Sequence, residues 1–422
     1  MSDITFADVV HQSVSFSPED PAERLILSLI DSRWFQRLRD ISQTANTRLV
    51  YMFSEHSRFG HCLGVAYLAK LVLEKLERSF PDDVATFRAP ILVAALLHDV
   101  GHLAPGSHTA FKAWFPGQPD SHEEIAELVI NNDPEIVGLL DGYSPTLRAQ
   151  VTAILGETPE VPAWTWEILS GGGWNVDRGN WSTVDSVLAG VSYGKYNIPA
   201  LVDSMILTAG KHLALMENRL DAMMHFMVSR HAMYRQIYQH RVLLASDMIN
   251  KAIIQRARDL GTKVPFADDA MQHALAAHKA EDLALENIFQ MRESWWRYHI
   301  SRWAAGNDAV LSDLCDRLLH RRLFKTIRCS SGLTMESLMA SATAALEKLG
   351  LDPRYYLHEI STADVHSGDT RQSMLVQLDD GRVMTLAEAD PMFKAMVSDD
   401  RISRRAWIAL PREAKAALGH IR

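Results

Sequence analysis

The sequence predicts a mainly α-helical protein, a helical bundle followed by a small mixed α+β C-terminal region. Three observations carry that prediction. Apolar residues recur at helical spacing through long stretches. One stretch is apolar on nearly every face, the mark of a buried helix. A short alternating segment late in the chain carries a hairpin signature.

Residues 20–40 open on Asp20-Pro21, a helix start, and carry Leu25, Leu27, Leu29 and Ile30, then Trp34, Phe35 and Leu38. Residues 58–78 predict a second helix, and residues 86–100 a third that is apolar all round. Ser121, with Glu124 three residues later, is a capping-box pattern and predicts a helix to Asn131. Pro159, Pro162 and Gly171-Gly172-Gly173 make residues 155–175 a mobile loop. The chain then reads as helical from Ile198 to about Leu260, stopped by Gly261. Its methionines, Met205 to Met233, read as core packing, with a subunit interface as the alternative. Within 330–395, Met374-Leu375-Val376-Gln377-Leu378, Asp379-Asp380-Gly381 and Arg382-Val383-Met384 predict a hairpin turning at Asp-Gly. The expected division is a core with a helical extension over 1–330 and a small α+β region over 331–422. No internal repeat is present.

With 422 residues the chain can bury a large core, and 47% apolar with 23% charged residues is a globular composition. The first ten residues lack a basic region followed by an apolar run. The apolar stretch Ile91 to Leu97 is far too short to span a bilayer. Cys62, Cys315 and Cys329 show no CxxC spacing, which argues against a disulfide framework or a zinc–thiolate site. A cytoplasmic location is expected. The net charge of −9 supplies no basic field for nucleic acid. An anionic substrate therefore needs local arginines, lysines or a metal.

The sharpest chemical feature is His98-Asp99, at the end of the apolar stretch in ALLHDVGH. Such a pair is costly to bury unless it is bonded or ligating. Alone, it reads more simply as a core histidine bonded to a neighbouring carboxylate. It has company, however, in His61, His102, His108, His122-Glu123 and Asp177. Imidazoles and carboxylates together suit a divalent ion bound through N and O: iron, manganese, magnesium, nickel or zinc. Ligands so distant in sequence converge only where helices pack around them.

The segments FQRLRDISQ, HSRFGHCLGVAYLA, LLHDVGHLAPGSH, SHEE, VDRGNW, VDSVLAGVSYG and YRQIYQHRV occur in that order, with RRLFKTIR near residue 325. Together they resemble the HD-domain superfamily of metal-dependent phosphohydrolases, over roughly residues 20–330. Within it they are most similar to the dNTP triphosphohydrolases, the sterile-alpha-motif/HD-domain enzymes and bacterial dGTP triphosphohydrolases.

That resemblance implies an HD-domain bundle in which His61, His98, Asp99 and Asp177 hold one divalent ion. It places His102, His108 and His122 around the phosphates, with His122 as general acid or base, a role suited to an imidazole. Arg58, Arg178 and Arg230 would clamp the triphosphate, as planar guanidinium groups do well. Gln43 and Asp185 would contact the sugar, with Tyr238 near the sugar or base. The implied reaction is hydrolysis of (deoxy)nucleoside triphosphates to nucleoside and inorganic tripolyphosphate, with magnesium accompanying the triphosphate. A homo-oligomer and an activating nucleotide are implied as well. On the residues alone, each arginine reads as part of a solvated helix face, and His108 and His122 also fit as groups that cap or hydrogen-bond loops.

Three positions depart from the family pattern. Thr44 stands where relatives carry a leucine crowding the sugar 2′ position, and its hydroxyl leaves a 2′-OH room. Trp181 replaces a tyrosine, and Phe111 replaces an aspartate that orients a catalytic histidine. Glu123, Glu124 or another carboxylate would have to take that orienting role. Two other readings remain. One is hydrolysis of a phosphodiester in single-stranded nucleic acid or a cyclic nucleotide, drawing on Arg401, Arg404, Arg405 and Arg412 against the overall negative charge. The other is a non-catalytic nucleotide sensor, motivated by Phe111 and Trp181.

Overall fold

The computed structural model describes residues 2–106, 108–118, 122–329, 334–361, 374–398 and 405–418, with backbone alone for 108–110 and 395–398. Helices dominate, as the spacing of apolar residues predicts. A hairpin of β1 (Ile4–Asp8) and β2 (Gln12–Phe16), which the sequence reading did not anticipate, opens the chain. Asp8 Oδ1 accepts from Val10 and His11 N–H to close its turn.

Residues 20–40 form two helices, not one: α1 (Pro21–Ile30), capped by Asp20, and α2 (Arg33–Arg37). The break comes at Ser32, whose hydroxyl caps α2 by accepting from Phe35 N–H. Next come α3 (Arg58–Glu77) and α4 (Pro81–Leu97). The latter begins five residues before the expected start, because Pro81 sits at its first turn, where no N–H is needed. The third-helix expectation is otherwise met: Ile91 to Leu97 are buried without exception. Then follow α5 (His108–Trp114), α6 (His122–Asn132), α7 (Pro134–Tyr143) and α8 (Leu147–Leu155). Ser121, half of the expected capping box, lies outside the described residues.

The expected loop over 155–175 contains a helix, α9 (Ala163–Ser170). Pro162 precedes rather than interrupts it, and Trp164, Ile168 and Leu169 bury one face. After α10 (Val176–Leu188), the supposedly continuous helix from Ile198 is also broken. It comprises α11 (Ile198–Asp203), a hairpin of β3 (Met205–Leu207) and β4 (Leu213–Met216), α12 (Leu220–Met233) and α13 (Arg241–Leu260). The break follows from Gly210 and Lys211, whose φ of 57° makes a tight turn that helix cannot continue through. Gly261, at φ 53°, ends α13 as expected.

The C-terminal region supplies β5 (Lys325–Arg328), β6 (His358–Ser361), β7 (Leu375–Gln377), β8 (Val383–Thr385) and β9 (Ala406–Leu410). The predicted hairpin is β7–β8, with Gly381 at φ 87° in its turn. It does not stand apart: β7 pairs in parallel with β4, giving the order β3-β4-β7-β8. A second sheet, β5-β9-β6, lies against α13. Strand pairing thus crosses residue 330 twice, and one apolar cluster runs through both parts of the chain.

Candidate metal centre and substrate cavity

Three helix ends supply groups that could hold a cation. His61 lies on the first turn of α3, His98 and Asp99 follow the last residue of α4, and Asp177 lies on the first turn of α10. The helices meet because Gly64 of α3 has no side chain: an added Cβ would stand 2.2 Å from Asn180 Nδ2 of α10. His61 Nε2 is 3.0 Å from Asp177 Oδ1 and 3.7 Å from Asp99 Oδ2. His98 Nε2 is 3.7 Å from Asp177 Oδ1 and 3.6 Å from Asp99 Oδ1.

Hydrogen bonds on the far side of each ring decide what these nitrogens can do. His61 Nδ1 is 3.0 Å from Asn180 Oδ1, and His98 Nδ1 is 2.9 Å from the Ala95 carbonyl oxygen. Both partners only accept, so both Nδ1 atoms carry the hydrogen. Each Nε2 is then left to face the carboxylates. His98 Nε2 is buried and has no hydrogen-bond partner among the described residues. Two lone pairs pointed at two carboxylates repel unless a cation lies among them, so this donor set fits a divalent ion. Burial lowers the His98 pKa, but Asp99 and Asp177 outweigh it and push it up to about 9, a proton standing in for the cation. Asp99 is held well below the carboxylate range: burial opposes this, but Arg58, His98 and His102 prevail. Cys62 also lies within reach of His98 and Asp99. Burial, reinforced by Asp99, pushes its thiol far up, which keeps it protonated and a poor ligand.

A third group gathers on Asp99 Oδ1: His102 Nε2 at 3.0 Å and His122 Nε2 at 3.7 Å, their rings stacked at 3.8 Å. Gly101 allows this approach, since an added Cβ would stand 2.1 Å from the His122 carbonyl oxygen. Phe111 packs edge-on against Phe115 in the core. Glu123 supplies a carboxylate beside His122, 3.4 Å from its Nδ1. Glu124 instead accepts from Gln118. The side chain of His108 lies outside the described residues.

All of the other sequence-predicted site residues line one cavity of about 500 Å³. Their individual partners refine what each does. Arg58 donates to Asp99 Oδ2, so it braces that carboxylate. Arg178 donates to the Gly171 carbonyl at 2.9 Å, and Arg230 lies over the Tyr234 ring. Tyr238 donates to Asp185 Oδ2, while His56 Nε2 approaches Asp185 Oδ1 at 2.9 Å. Trp181 stands edge-on to Tyr238, with ring centroids 5.3 Å apart. Gln43 and Thr44 line the cavity beside them. Of the C-terminal arginines, Arg401 and Arg404 lie outside the described residues, and Arg405 sits over Trp407.

Sequence reasoning missed three residues. Asn180 sits one helical turn after Asp177 in VDRGNW, a spacing that puts both on one face. His56 stands two residues before Arg58, within a motif already recognised. Arg37 is buried and donates to the carbonyls of His102, Ile288, Phe289 and Met291, which fixes the loop after Asp99. No local pattern distinguishes that arginine from its neighbours in FQRLRD.

The HD domain family matches residues 58–138. The chain is 30% identical over 360 residues to the protein YwfO of Bacillus subtilis, an alignment covering 85% of this chain and 80% of that one. It is 27% identical over 270 residues to the deoxynucleoside triphosphate triphosphohydrolase SAMHD1 of Gallus gallus, covering 56% of this chain but only 42% of that protein. A phosphohydrolase from Bacteroides thetaiotaomicron shares the fold, with a TM-score of 0.80 at 21% identity, over 97% of this chain and 100% of that one.

Proposed function

From the premise that this chain belongs to the HD-domain phosphohydrolase superfamily, we propose that it hydrolyses (deoxy)nucleoside triphosphates to nucleoside and inorganic tripolyphosphate. One observation carries the reading. The His61, His98, Asp99 and Asp177 cluster, the guanidinium groups of Arg178 and Arg230, and the Gln43, Asp185 and Tyr238 wall share a single cavity of about 500 Å³. That volume lies in the ordinary range for small-molecule sites. The similarity to SAMHD1 supports the nucleotide class.

His61, His98, Asp99 and Asp177 would hold a divalent ion, which would supply Lewis acidity toward a bound phosphate. Arg178 and Arg230 bind phosphate oxygens, and Arg58 keeps Asp99 ionised. His122 carries the proton that the leaving nucleoside oxygen takes, with Glu123 at its other nitrogen to hold the ring in place. Asp185 and Tyr238 orient the sugar.

The test is product analysis by mass spectrometry, with metal-replete protein and each common dNTP and NTP. Nucleoside and tripolyphosphate are expected, and turnover vanishes in His98→Ala and Asp99→Ala. Nucleoside mono- or diphosphate as product overturns the proposed chemistry. Nucleotide binding without turnover favours the sensor reading.

A further inference from the structure

The loop that carries His102 toward Asp99 is pinned from outside the metal cluster. Arg37 donates to the His102 carbonyl at 2.8 Å and to the Met291 carbonyl at 3.1 Å, and Ala104 N–H donates to the same Met291 carbonyl at 3.1 Å. Two residues further along each segment, Gly106 N–H donates to Glu293 Oε1 at 3.2 Å. Glu293 is the first residue of the helix Glu293–Ala304 and is only 8% exposed. Gly106 lines the cavity and lies two residues before His108, where α5 begins. Its other side meets the opposite wall: an added Cβ would stand 2.5 Å from the Ser42 carbonyl oxygen.

A carboxylate is a costly group to bury for one amide. Glu293 makes no ion pair among the described residues; burial pushes its carboxyl up, and the Gly106 N–H is the first of the groups that oppose this. An apolar side chain would fill the same space at lower cost, but it could not accept from Gly106. Gly106 is itself buried, so without that acceptor its N–H would be an unpaired buried donor, and the loop would shift until another oxygen met it. With Ser42 on one side and Glu293 on the other, the reach of the side chain at 293 sets where the loop stands.

We propose that Glu293 is a positioning residue for the cavity, anchoring the loop 102–106 through the Gly106 amide so that His102 and His122 stand together on Asp99. Glu293 stands behind the cavity wall rather than in it, and acts through the loop alone. The inference rests on the hydrolase reading given above, in which His122 carries a proton. A reacting group held about 1 Å out of place costs about 100-fold in rate, while a fold supported by many other contacts changes little.

The experiment measures kcat, KM and divalent-metal affinity in Glu293→Ala, Glu293→Gln and Gly106→Ala, with the nucleotide that wild type turns over fastest. Glu293→Ala is expected to lose about 10- to 100-fold in kcat, with KM and metal affinity unchanged. Glu293→Gln keeps an acceptor oxygen at the same reach and is expected to retain most of the rate. Gly106→Ala keeps Glu293 but drives the loop off Ser42, and is expected to match Glu293→Ala; it decides the question should that variant not fold. An undiminished kcat in Glu293→Ala overturns the proposal, as does an equal loss in Glu293→Gln or a loss that follows metal affinity. Hydrogen exchange of residues 102–106 needs no substrate, and is expected to be slow in wild type and Glu293→Gln but fast in Glu293→Ala. That pattern in a protein without nucleotide turnover keeps the anchor while removing the hydrolase reading. Turnover indifferent to both positions overturns the anchor alone.

Discussion

A histidine ligates through one nitrogen only if the other is committed elsewhere, and at His61 that commitment is made by Asn180. The amide oxygen fixes both the tautomer and the ring plane, so its loss frees the imidazole to turn. Asn180→Ala is expected to lower divalent-metal affinity by about 10- to 100-fold while leaving the helical circular dichroism unchanged. Competition against a chelator measures it, and unaltered affinity would show that Asn180 merely fills space. The residue scale is also where legibility was most uneven. His61, His98, Asp99 and Asp177 were readable because their residue types are costly anywhere but at a site. Asn180 and His56 were not, because each matters through one partner: His61 is 119 residues from Asn180, and Asp185 is 129 from His56. The three arginines were legible as a set but not in their division of labour. That Arg58 braces Asp99 follows only from the packing of α3 against the end of α4.

At the scale of elements, β6 shows how burial makes a strand sensitive to acid. His358 is buried, donates through Nε2 to the Tyr355 carbonyl at 3.0 Å, and lies nearly parallel to Phe324. Burial, helped by Lys251, lowers its pKa to about 4, against 6.5 for the free side chain. The folded state thus refuses a proton that the unfolded chain accepts. The full stability is present above about pH 6.5 and is lost progressively down to about pH 4, by about 3 kcal/mol in all. Denaturant unfolding of wild type and His358→Gln at about pH 7 and about pH 5 isolates this contribution. The variant is expected to show the shallower decline, and parallel declines would exclude His358 as the source. Helices with long apolar periodicity, such as α3 and α4, were legible from the sequence. The β3–β4 hairpin was not: at three and four residues its strands are too short to show alternation, and β4 is fixed by β7, whose paired residues lie 161 further on. The turn at Asp380-Gly381 was visible because glycine there answers a local backbone requirement.

For the whole molecule, α13 joins the cavity to the C-terminal sheet. Its first turns place Leu243, Leu244 and Asp247 on the cavity wall, while β5 and β6 pack along the same helix. Composition suggested a boundary at residue 330, because alternation replaces helical spacing there. Composition does not reveal which strands pair, however. Cutting after residue 330 would strip β5 of β9 and β4 of β7, leaving two open edges. It would also uncover the α13 face that Tyr355 and Ile360 help to bury within the shared apolar cluster. The fragment 1–330 is therefore expected to aggregate or to lack a cooperative thermal transition, whereas the full chain melts in one step. Circular dichroism on both decides it. A sigmoidal melt of the fragment within about 5 °C of the full chain would establish that residues 1–330 fold alone. The metal site would then owe nothing to the sheet on the other side of α13.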